Sequence, residues 1–486
     1  MKKTAVIGTG IAGLATAARL AAKGHKVTCF EANSTYGGKL TAFIKNGYRF
    51  DAGPSLFTMP ALVDQVFTAC QKDARTYFNY RKKEVACHYF FEDGTFIKAY
   101  SDPQKLAIEL HAKTGISTQK TEAYFKKAAN KYNRVGHIFM NKSLHKAKTW
   151  FSADVAKALL FLPSYNLFTS MNRVNEKLLD NQKTIQYFNR YATYNGSNPY
   201  AVPGLLAMIP HLEHGIGTFL PEGGMQSISD SIYKLCVELG VEFHFNTPVT
   251  EIVTDEAKVC GLVANDRAWS FNTVVCNMDV AHAYKKLLPQ VKTPKKIEQQ
   301  ERSSSALIFY WGINKQFPEL DLHNILFSNN YPEEFNHIFK KQSIYNDPTV
   351  YINITSKEIP SDAPPGCENW FVMINVPANK GYFTQEIKIQ ARQYILAKLS
   401  RHFKTDFEKF IILEESLDPN SIESKTSSLH GSLYGTSSNS RMAAFNRHAN
   451  FTSKIKNLYF CGGSVHPGGG IPLCLNSAKI VSELVK

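Results

Sequence analysis

Three glycines near the amino terminus have the residue type and the spacing needed to hold a nucleotide. Gly8, Gly10 and Gly13 lie between a predicted strand and a predicted alanine-rich helix. The first allows a tight turn, the second lets the backbone approach a pyrophosphate, and the third lets the helix pack closely on its sheet. Ile11 and Ala12 complete the turn into the helix and belong to the same predicted site.

An acidic residue follows at the end of the next predicted strand. Glu31 is placed to accept a hydrogen bond from a ribose hydroxyl, at a position where its carboxylate would repel a phosphate. The expected ligand therefore carries an unphosphorylated adenosine ribose. Because this fingerprint fits FAD and NAD equally well, the redox group has to be decided from other parts of the chain.

Length and composition indicate a globular protein with several domains. The chain has 486 residues, of which 44% are hydrophobic, so two or three domains are expected. No uninterrupted apolar run reaches the roughly 18 to 20 residues needed to cross a bilayer. The nine cysteines form no C-x-x-C pair, and a reducing, cytoplasmic setting is expected.

The formal net charge of +15 indicates an anionic partner. Lysines crowd the stretch from Lys113 to Lys157, and this group leads directly into an apolar helical face that includes Phe151 and Leu160. Basic residues beside an apolar helix are typical of a bilayer surface, whereas the chain has no recognisable nucleic-acid module. We expect a peripheral protein on the inner face of the cell membrane that binds no nucleic acid. The alternative is a lid helix that packs inward and whose lysine face is solvated.

The elements that must position these residues change in character along the chain. Residues 1–67 predict a βαβ unit followed by a hairpin, and residues 101–215 predict mostly helices. Runs of β-branched and aromatic residues predict strands within 240–275 and again within 304–413, with one amphipathic helix at about 385–402. The later strands are expected to form an antiparallel sheet that serves as the floor of a second domain.

Four further glycine-bearing segments accompany the fingerprint. They are Gly37-Gly38-Lys39, Phe50-Asp51-Ala52-Gly53-Pro54-Ser55, Leu220-Pro221-Glu222-Gly223-Gly224-Met225, and a closing run from Asn457 to Pro472. Each alone is compatible with an ordinary turn. Together and in this order they indicate a flavoprotein whose chain returns to its cofactor at the end.

The closing run suits a flavin for a physical reason. A flavin that has accepted hydride carries negative charge along one edge of its ring, and backbone amides at a helix amino terminus stabilise such charge. Gly468, Gly469 and Gly470 can present these amides, and without side chains they allow close approach to a flat ring. Gly470 and Ile471, which lie just before the terminal helix predicted from Leu473 to Val485, are included in the predicted cofactor site.

Nearly the whole chain resembles the bacterial-type phytoene desaturase family, within the broader FAD-dependent, amine-oxidase-like group. The most specific matches are the run Gly462–Pro472 (G-G-S-V-H-P-G-G-G-I-P) and Asn277-Met278-Asp279 after a predicted strand. Val465 stands where the family more often has threonine or alanine. The resemblance implies FAD, a long carotenoid substrate, and a position near the adenine for Val249.

The resemblance also implies an α/β fold with a Rossmann-like FAD-binding domain, a mixed-sheet substrate domain and a helical, membrane-associated subdomain. The expected domains are residues 1–67 with 216–282 and 425–486 for FAD, residues 68–100 with 283–424 for substrate, and residues 101–215 for the helical lid. The predicted cofactor-binding residues are Gly8, Gly10, Ile11, Ala12, Gly13, Glu31, Gly38, Lys39, Gly53, Pro54, Ser55, Val249, Asn277, Gly462, Gly463, Gly470 and Ile471.

The implied reaction needs little acid–base help from the protein. When hydride leaves an sp³ carbon beside a polyene, conjugation spreads the positive charge that remains, so a weak base can take the neighbouring proton. His466, Glu222 and Asp279 are the candidates for that catalytic role, and each has a structural role as its alternative.

Within the family, the segment Ile209–Met225 most resembles enzymes that introduce one 3,4 double bond into hydroxylated carotenoids. Burying a tertiary hydroxyl without a partner costs on the order of a few kcal/mol, and His211 and His214 are predicted to bind it. These two side chains and Glu213 form an incomplete ligand set, so no metal is expected. The alternatives are a phytoene or C30 carotene desaturase, a carotenoid isomerase and an amine oxidase. The electron acceptor, a quinone or oxygen, is left open.

Overall fold

The computed structural model describes residues 2–486, which contain twenty β-strands and seventeen α-helices. The strands are β1 (Lys3–Ile7), β2 (Lys26–Phe30), β3 (Ala42–Lys45), β4 (Tyr48–Asp51), β5 (Phe57–Thr58), β6 (Tyr80–Lys82), β7 (Val85–Phe90), β8 (Phe96–Tyr100), β9 (Thr218–Pro221), β10 (Glu242–His244), β11 (Val249–Asp255), β12 (Lys258–Ala264), β13 (Arg267–Ser270), β14 (Thr273–Cys276), β15 (Ser305–Ile313), β16 (His323–Leu326), β17 (Val350–Ile354), β18 (Glu368–Val376), β19 (Ile411–Leu417) and β20 (Leu458–Phe460).

The helices alternate with these strands and with short 3-10 and π-helical turns. They are α1 (Ile11–Ala22), α2 (Ala61–Ala69), α3 (Pro103–Thr114), α4 (Thr118–Lys131), α5 (His137–Asn141), α6 (Ala147–Trp150), α7 (Ala153–Leu159), α8 (Met171–Leu178), α9 (Gln182–Asn189), α10 (Ser227–Glu238), α11 (Val280–His282), α12 (Lys295–Gln299), α13 (Tyr331–Asn336), α14 (Gln385–Phe403), α15 (Pro419–Thr426), α16 (Ala443–Asn446) and α17 (Ile471–Leu484).

Five parallel strands form the sheet that carries the glycine fingerprint, in the spatial order β10-β2-β1-β14-β20. Strand β14 therefore lies between the first and the last strand of the chain. Helix α1 packs against both α10 and α17. Because parallel strands end at the same edge of a sheet, the loops after β1, β14 and β20 meet there, and they contain Gly8, Asn277 and Gly462.

A seven-stranded sheet follows the order β19-β15-β18-β17-β16-β7-β8, and it is mixed because only the β16–β7 pair is parallel. The predicted antiparallel floor corresponds to β15, β17, β18 and β19. Side chains alternate across it. One face, with the fully buried Trp311 and Trp370, packs in the same core as Ile395 and Leu399 of α14. The other face lines a cavity.

The helical segment between β8 and β9 also lines this cavity. It is broken into short helices and turns, including the π-helical turns Tyr132–Gly136 and Leu212–Ile216. Among the described residues, no helix combines the length and the apolar character needed to cross a bilayer. Three smaller sheets, β11-β12-β13, β3-β4 and β5-β9-β6, complete the fold.

Candidate functional site

A cavity of about 1380 Å³ connects the edge of the parallel sheet with the mixed sheet and the helical segment. Typical small-ligand sites enclose roughly 300–1,000 Å³. The cavity therefore has room for a dinucleotide together with part of a second large ligand.

The amino-terminal turn is built for close backbone approach. The Gly8 amide donates to the Phe30 carbonyl at 2.8 Å, which closes the turn between β1 and β2. A Cβ atom on Gly13 would lie 2.1 Å from the Gly8 carbonyl oxygen, so α1 packs on the turn only because this residue is glycine. A Cβ atom on Gly38 would lie 3.2 Å from the Cα atom of Gly10, so the second glycine segment lies directly against the first.

Asn277 joins the first and the last of the glycine loops. Its side-chain oxygen accepts a hydrogen bond from the Gly13 amide at 3.2 Å, and its Nδ2 donates to the Cys461 carbonyl at 3.0 Å. A Cβ atom on Gly462 would lie 2.5 Å from the same Nδ2. Asn277, which the resemblance assigned to the cofactor site, thus also links the amino-terminal glycine turn to the closing glycine run.

Glu31 is fixed at the cavity wall by its neighbours and is 7% exposed. One carboxylate oxygen accepts from the amide and the hydroxyl of Thr9, both at 2.8 Å. The other accepts from the amide and the side-chain nitrogen of Asn33, at 3.0 and 2.8 Å. The carboxylate is therefore held in one orientation, as recognition of a ribose hydroxyl requires.

Lys39 brings a positive charge to the same wall. Its Nζ donates to the carbonyls of Ser432 and Leu433, at 3.3 and 3.1 Å. Burial lowers the pKa of the Lys39 ammonium to about 8. An anionic ligand in the cavity would compensate for that burial, because an opposite charge nearby favours the charged form.

The closing run packs backbone against backbone around the start of α17. A Cβ atom on Gly469 would lie 2.6 Å from Cα of Tyr434, and one on Gly463 would lie 3.2 Å from Cα of Gly469. Gly470, with a φ of 99°, is the residue that precedes α17, and both it and Ile471 line the cavity. The glycine cradle, the fixed carboxylate, the buried ammonium and this helix terminus together fit the diphosphate, the ribose and the flavin ring of FAD.

The predicted cofactor residues therefore share one cavity. All of them line it except Gly13, which packs beneath the turn, and Val249 lies on the wall beside Pro248. Of the three predicted catalytic residues, His466 and Asp279 line the cavity. Glu222 is exposed and lies outside the wall, so the structure does not bring it to the other two.

His466 is a buried, neutral imidazole. Its Nε2 lies 2.8 Å from the Lys142 carbonyl and must donate to it, which leaves Nδ1 as the acceptor. Nδ1 is buried and has no hydrogen-bond partner among residues 2–486. Burial lowers the pKa of His466 to about 4. The ring is therefore a weak base with an available lone pair.

Asp279 has two structural partners. Its carboxylate accepts from the Ala281 amide at 3.0 Å, which caps α11, and it pairs with Arg302 at 3.0 Å. Both side chains of the pair are at most 5% exposed. The arrangement stabilises Asp279 as an ion-paired helix cap.

The polar residues of the helical segment between β8 and β9 that line the cavity differ from those predicted. His211 and His214 do not belong to the cavity wall as the structure describes it for residues 2–486, and His214 Nε2 is engaged by the hydroxyl of Tyr187 at 2.9 Å. Glu213, between them, does line the cavity, and it faces Arg190. The expectation that both histidines face the substrate is therefore wrong. His214 lies within the π-helical turn Leu212–Ile216.

Arg190, His323 and Arg447 are among the cavity-lining polar residues that the sequence analysis missed. They lie far apart in the chain and belong to no motif. Arg190 lies close to the aromatic residues Tyr187, Phe188 and Tyr191, and a charged residue among aromatic ones was the only local signal.

Apolar side chains surround the opening of the cavity. This apolar rim consists of Trp150, Phe151, Leu159, Leu160, Phe161, Leu162, Phe168 and Met442, which are between 40% and 90% exposed. Basic groups lie among them, with the guanidinium of Arg134 3.8 Å from the ring centre of Phe161 and that of Arg441 5.4 Å from the ring centre of Phe168. Several rim residues also line the cavity, so the rim and the interior form one continuous apolar surface.

Comparison with known proteins gives consistent matches along the chain. The family described as flavin containing amine oxidoreductase matches residues 11–486. A 1-hydroxycarotenoid 3,4-desaturase from Flavobacterium sp. (strain P99-3) is 50% identical over 485 residues, covering 100% of this chain and 99% of that protein. A 4,4'-diapolycopene oxygenase from Methylomonas sp is 32% identical over 489 residues, covering 100% and 98%.

A solved structure with this architecture is that of wild-type putrescine oxidase bound to putrescine. It superposes with a TM-score of 0.64 at 13% identity, covering 100% of this chain and 98% of that chain. At this identity the likeness concerns the fold.

Proposed function

The chain belongs to the family of flavin containing amine oxidoreductases, and on that premise we propose that it is an FAD-dependent desaturase that forms the 3,4 double bond of an acyclic 1-hydroxycarotenoid. The observation that carries the proposal is the continuity of the cavity, which runs from the glycine cradle to the apolar rim. A long, apolar substrate can reach the cofactor along this path without crossing water. The full-length similarity to a protein named for this reaction supports the choice of substrate.

The residues of the chain have distinct parts in this proposal. Bound FAD supplies the hydride acceptor. Glu31 would hold the ribose, Lys39 the diphosphate, and the amides at the start of α17 the electron-rich edge of the ring. The apolar wall excludes water from the carbon that loses hydride.

We assign the remaining proton to His466. Its Nδ1 lone pair has no hydrogen-bond donor within the described chain, and its pKa of about 4 is adequate for an acidic proton next to a delocalised cation. Asp279 is left out of the chemistry because Arg302 and the Ala281 amide engage it, and Glu222 because it lies outside the cavity.

The apolar rim is proposed to dock the protein on the cytoplasmic face of the cell membrane. Its exposed apolar side chains would enter the interface, and the basic groups among them would meet anionic lipid headgroups. Residues 101–215 would then act as the membrane-associated lid. A quinone held in the same bilayer, or oxygen, would reoxidise the flavin.

The test uses purified, FAD-loaded protein and liposomes that contain a 1-hydroxylated acyclic carotenoid, with a quinone or oxygen as acceptor. We expect a product that lacks two hydrogen atoms by mass spectrometry and absorbs at longer wavelength. An unchanged mass would indicate an isomerase, and added oxygen would indicate the chemistry named for the Methylomonas relative. Conversion of phytoene or a C30 carotene alone would indicate another desaturase, and peroxide formed from amines without lipid an amine oxidase.

A further inference from the structure

We infer that Arg190 and Glu213 bind the hydroxyl group of the substrate and thereby select both the substrate and the bond that is oxidised. The inference rests on the proposed function, since it concerns the substrate of the same site. It assigns a role to a pair of charged residues that the redox chemistry does not use.

The pair lies in the wall of the cavity and is almost fully enclosed. The side chain of Glu213 is 1% exposed and that of Arg190 is 11% exposed. Glu213 accepts from the hydroxyl of Tyr191 at 2.8 Å, from the hydroxyl of Tyr194, and from Nη2 of Arg190 at 3.4 Å. Although burial opposes ionisation, these partners and His214 together lower the pKa of the Glu213 carboxyl, so it is a carboxylate.

Arg190 has more donors than acceptors around it. The guanidinium group offers five N–H donors, and Nε is buried without a hydrogen-bond partner in the part of the chain described here. The rings of Tyr89, Tyr191 and Tyr194 surround the guanidinium carbon at 5.1, 4.8 and 5.2 Å from their centres. A hydroxyl group complements this arrangement, because its oxygen can accept from Arg190 while its proton is donated to Glu213.

Stability gives no reason to keep this pair in an apolar cavity. Two charges lose their hydration when they are buried, and a protein with apolar side chains of similar volume in their place is often at least as stable. A buried ion pair is therefore expected where it has a function that apolar residues cannot perform. Recognition of one polar group on an otherwise apolar ligand is such a task.

The position of the pair matches the spacing of the substrate atoms. Tyr89, Ile325 and Tyr351 are in register on the neighbouring strands β7, β16 and β17, so Tyr89 and Tyr351 are about two strand spacings, or about 10 Å, apart. The guanidinium of Arg190 lies 5.1 Å from the ring centre of Tyr89. The Tyr351 hydroxyl lies 2.7 Å from Ser55 Oγ in the predicted cofactor loop.

A hydroxyl on carbon 1 and the bond between carbons 3 and 4 are separated by at most three carbon–carbon bonds of about 1.5 Å each. A reacting contact adds roughly 3.5 Å. These lengths add up to about 8 Å, which is similar to the separation of Tyr89 and Tyr351. Holding the hydroxyl at the pair would place the 3,4 bond beside the flavin.

The test compares three carotenoids in liposomes that differ only at carbon 1, which carries a hydroxyl, a methoxy group or hydrogen. The measured quantity is kcat/KM for each, with wild type, Glu213→Gln, Arg190→Met and a control, Glu368→Gln. Glu368 is also buried and ion-paired, to Lys357 at 2.7 Å, but it lies outside the cavity wall as described. Bound FAD and the melting temperature are recorded for every variant.

We expect wild type and the control to prefer the hydroxylated over the unsubstituted carotenoid by about 10-fold or more, with the methoxy compound in between because it can accept but not donate. In Glu213→Gln and Arg190→Met the preference should fall close to one. If a variant loses FAD, the inference is tested by the ranking of the three carotenoids with wild type and with Tyr194→Phe, which removes one hydrogen-bond donor to Glu213.

Equal turnover of the three carotenoids by wild type, or a preference that survives both substitutions, would overturn the inference and leave the desaturase intact. Failure of wild type to convert any of the three would instead count against the proposed function.

Discussion

Removing the three most exposed side chains of the apolar rim should release the protein from membranes. Phe151, Leu160 and Phe168 are 90%, 78% and 76% exposed, so they contribute little to the stability of the folded protein in water. In the proposed docking they would transfer to the bilayer interface. The triple variant Phe151→Ser, Leu160→Ser, Phe168→Ser therefore tests docking with little effect on folding.

The size of the effect follows from the exposed fractions. Complete burial of a leucine or phenylalanine side chain contributes about 1.5–3 kcal/mol. Taking the lower value and the exposed fraction gives about 1.2 kcal/mol for each residue and about 3.6 kcal/mol for the three. The partition coefficient onto liposomes should fall several hundred-fold.

The assay is co-sedimentation with liposomes that contain anionic lipid, at low and at physiological salt. The matched control is Ile108→Ser, Ile389→Ser, Ile412→Ser, which removes three apolar side chains that are 50% to 63% exposed and lie outside the rim. Unchanged sedimentation of the rim variant, or an equal loss in the control, would refute docking through the rim. Both variants should keep the melting temperature and FAD content of wild type.

The other predictions concern the cofactor and the base. Gly13→Ala should abolish FAD binding, because its Cβ would lie 2.1 Å from a backbone oxygen, as measured by the flavin absorbance that copurifies. Affinity for FAD should be highest below pH 8 and fall by up to tenfold per pH unit above it. Burial lowers the pKa of Lys39 to about 8, and the diphosphate binds the charged ammonium form. Titrations monitored by flavin fluorescence should show no such pH dependence for Lys39→Met. Asp279→Asn should lower the free energy of unfolding in urea by about 3 kcal/mol, by leaving a buried guanidinium unpaired, while turnover per bound FAD is kept. His466→Gln should lower turnover about 100-fold with normal FAD content. Wild-type turnover should be constant above pH 5 and fall at lower pH, because His466, with a pKa of about 4, becomes protonated there.

The features that the sequence predicted are those fixed by local constraints. A glycine whose Cβ would collide with backbone, such as Gly13, is set by the few residues around it, and strands such as Val350–Ile354 follow from a run of β-branched residues. The Arg190–Glu213 pair depends instead on how two helical segments meet. No spacing in the sequence encodes that meeting. His214 was misplaced because it lies in a π-helical turn, which rotates side chains differently from the α-helical period.

The polarity of the two ends of the cavity sets the direction in which a substrate enters. A carotenoid with one hydroxylated end can lie with that end at Arg190 and its apolar tail at the rim. In the reverse direction the hydroxyl would lie against apolar side chains such as Leu159 and Phe168, and the guanidinium would face hydrocarbon. A buried polar group without a partner costs roughly 1–3 kcal/mol, so the guanidinium alone disfavours the reverse direction by about fivefold at the least. The same polarity that selects the substrate thus orients it, with the tail still in contact with the bilayer from which it came.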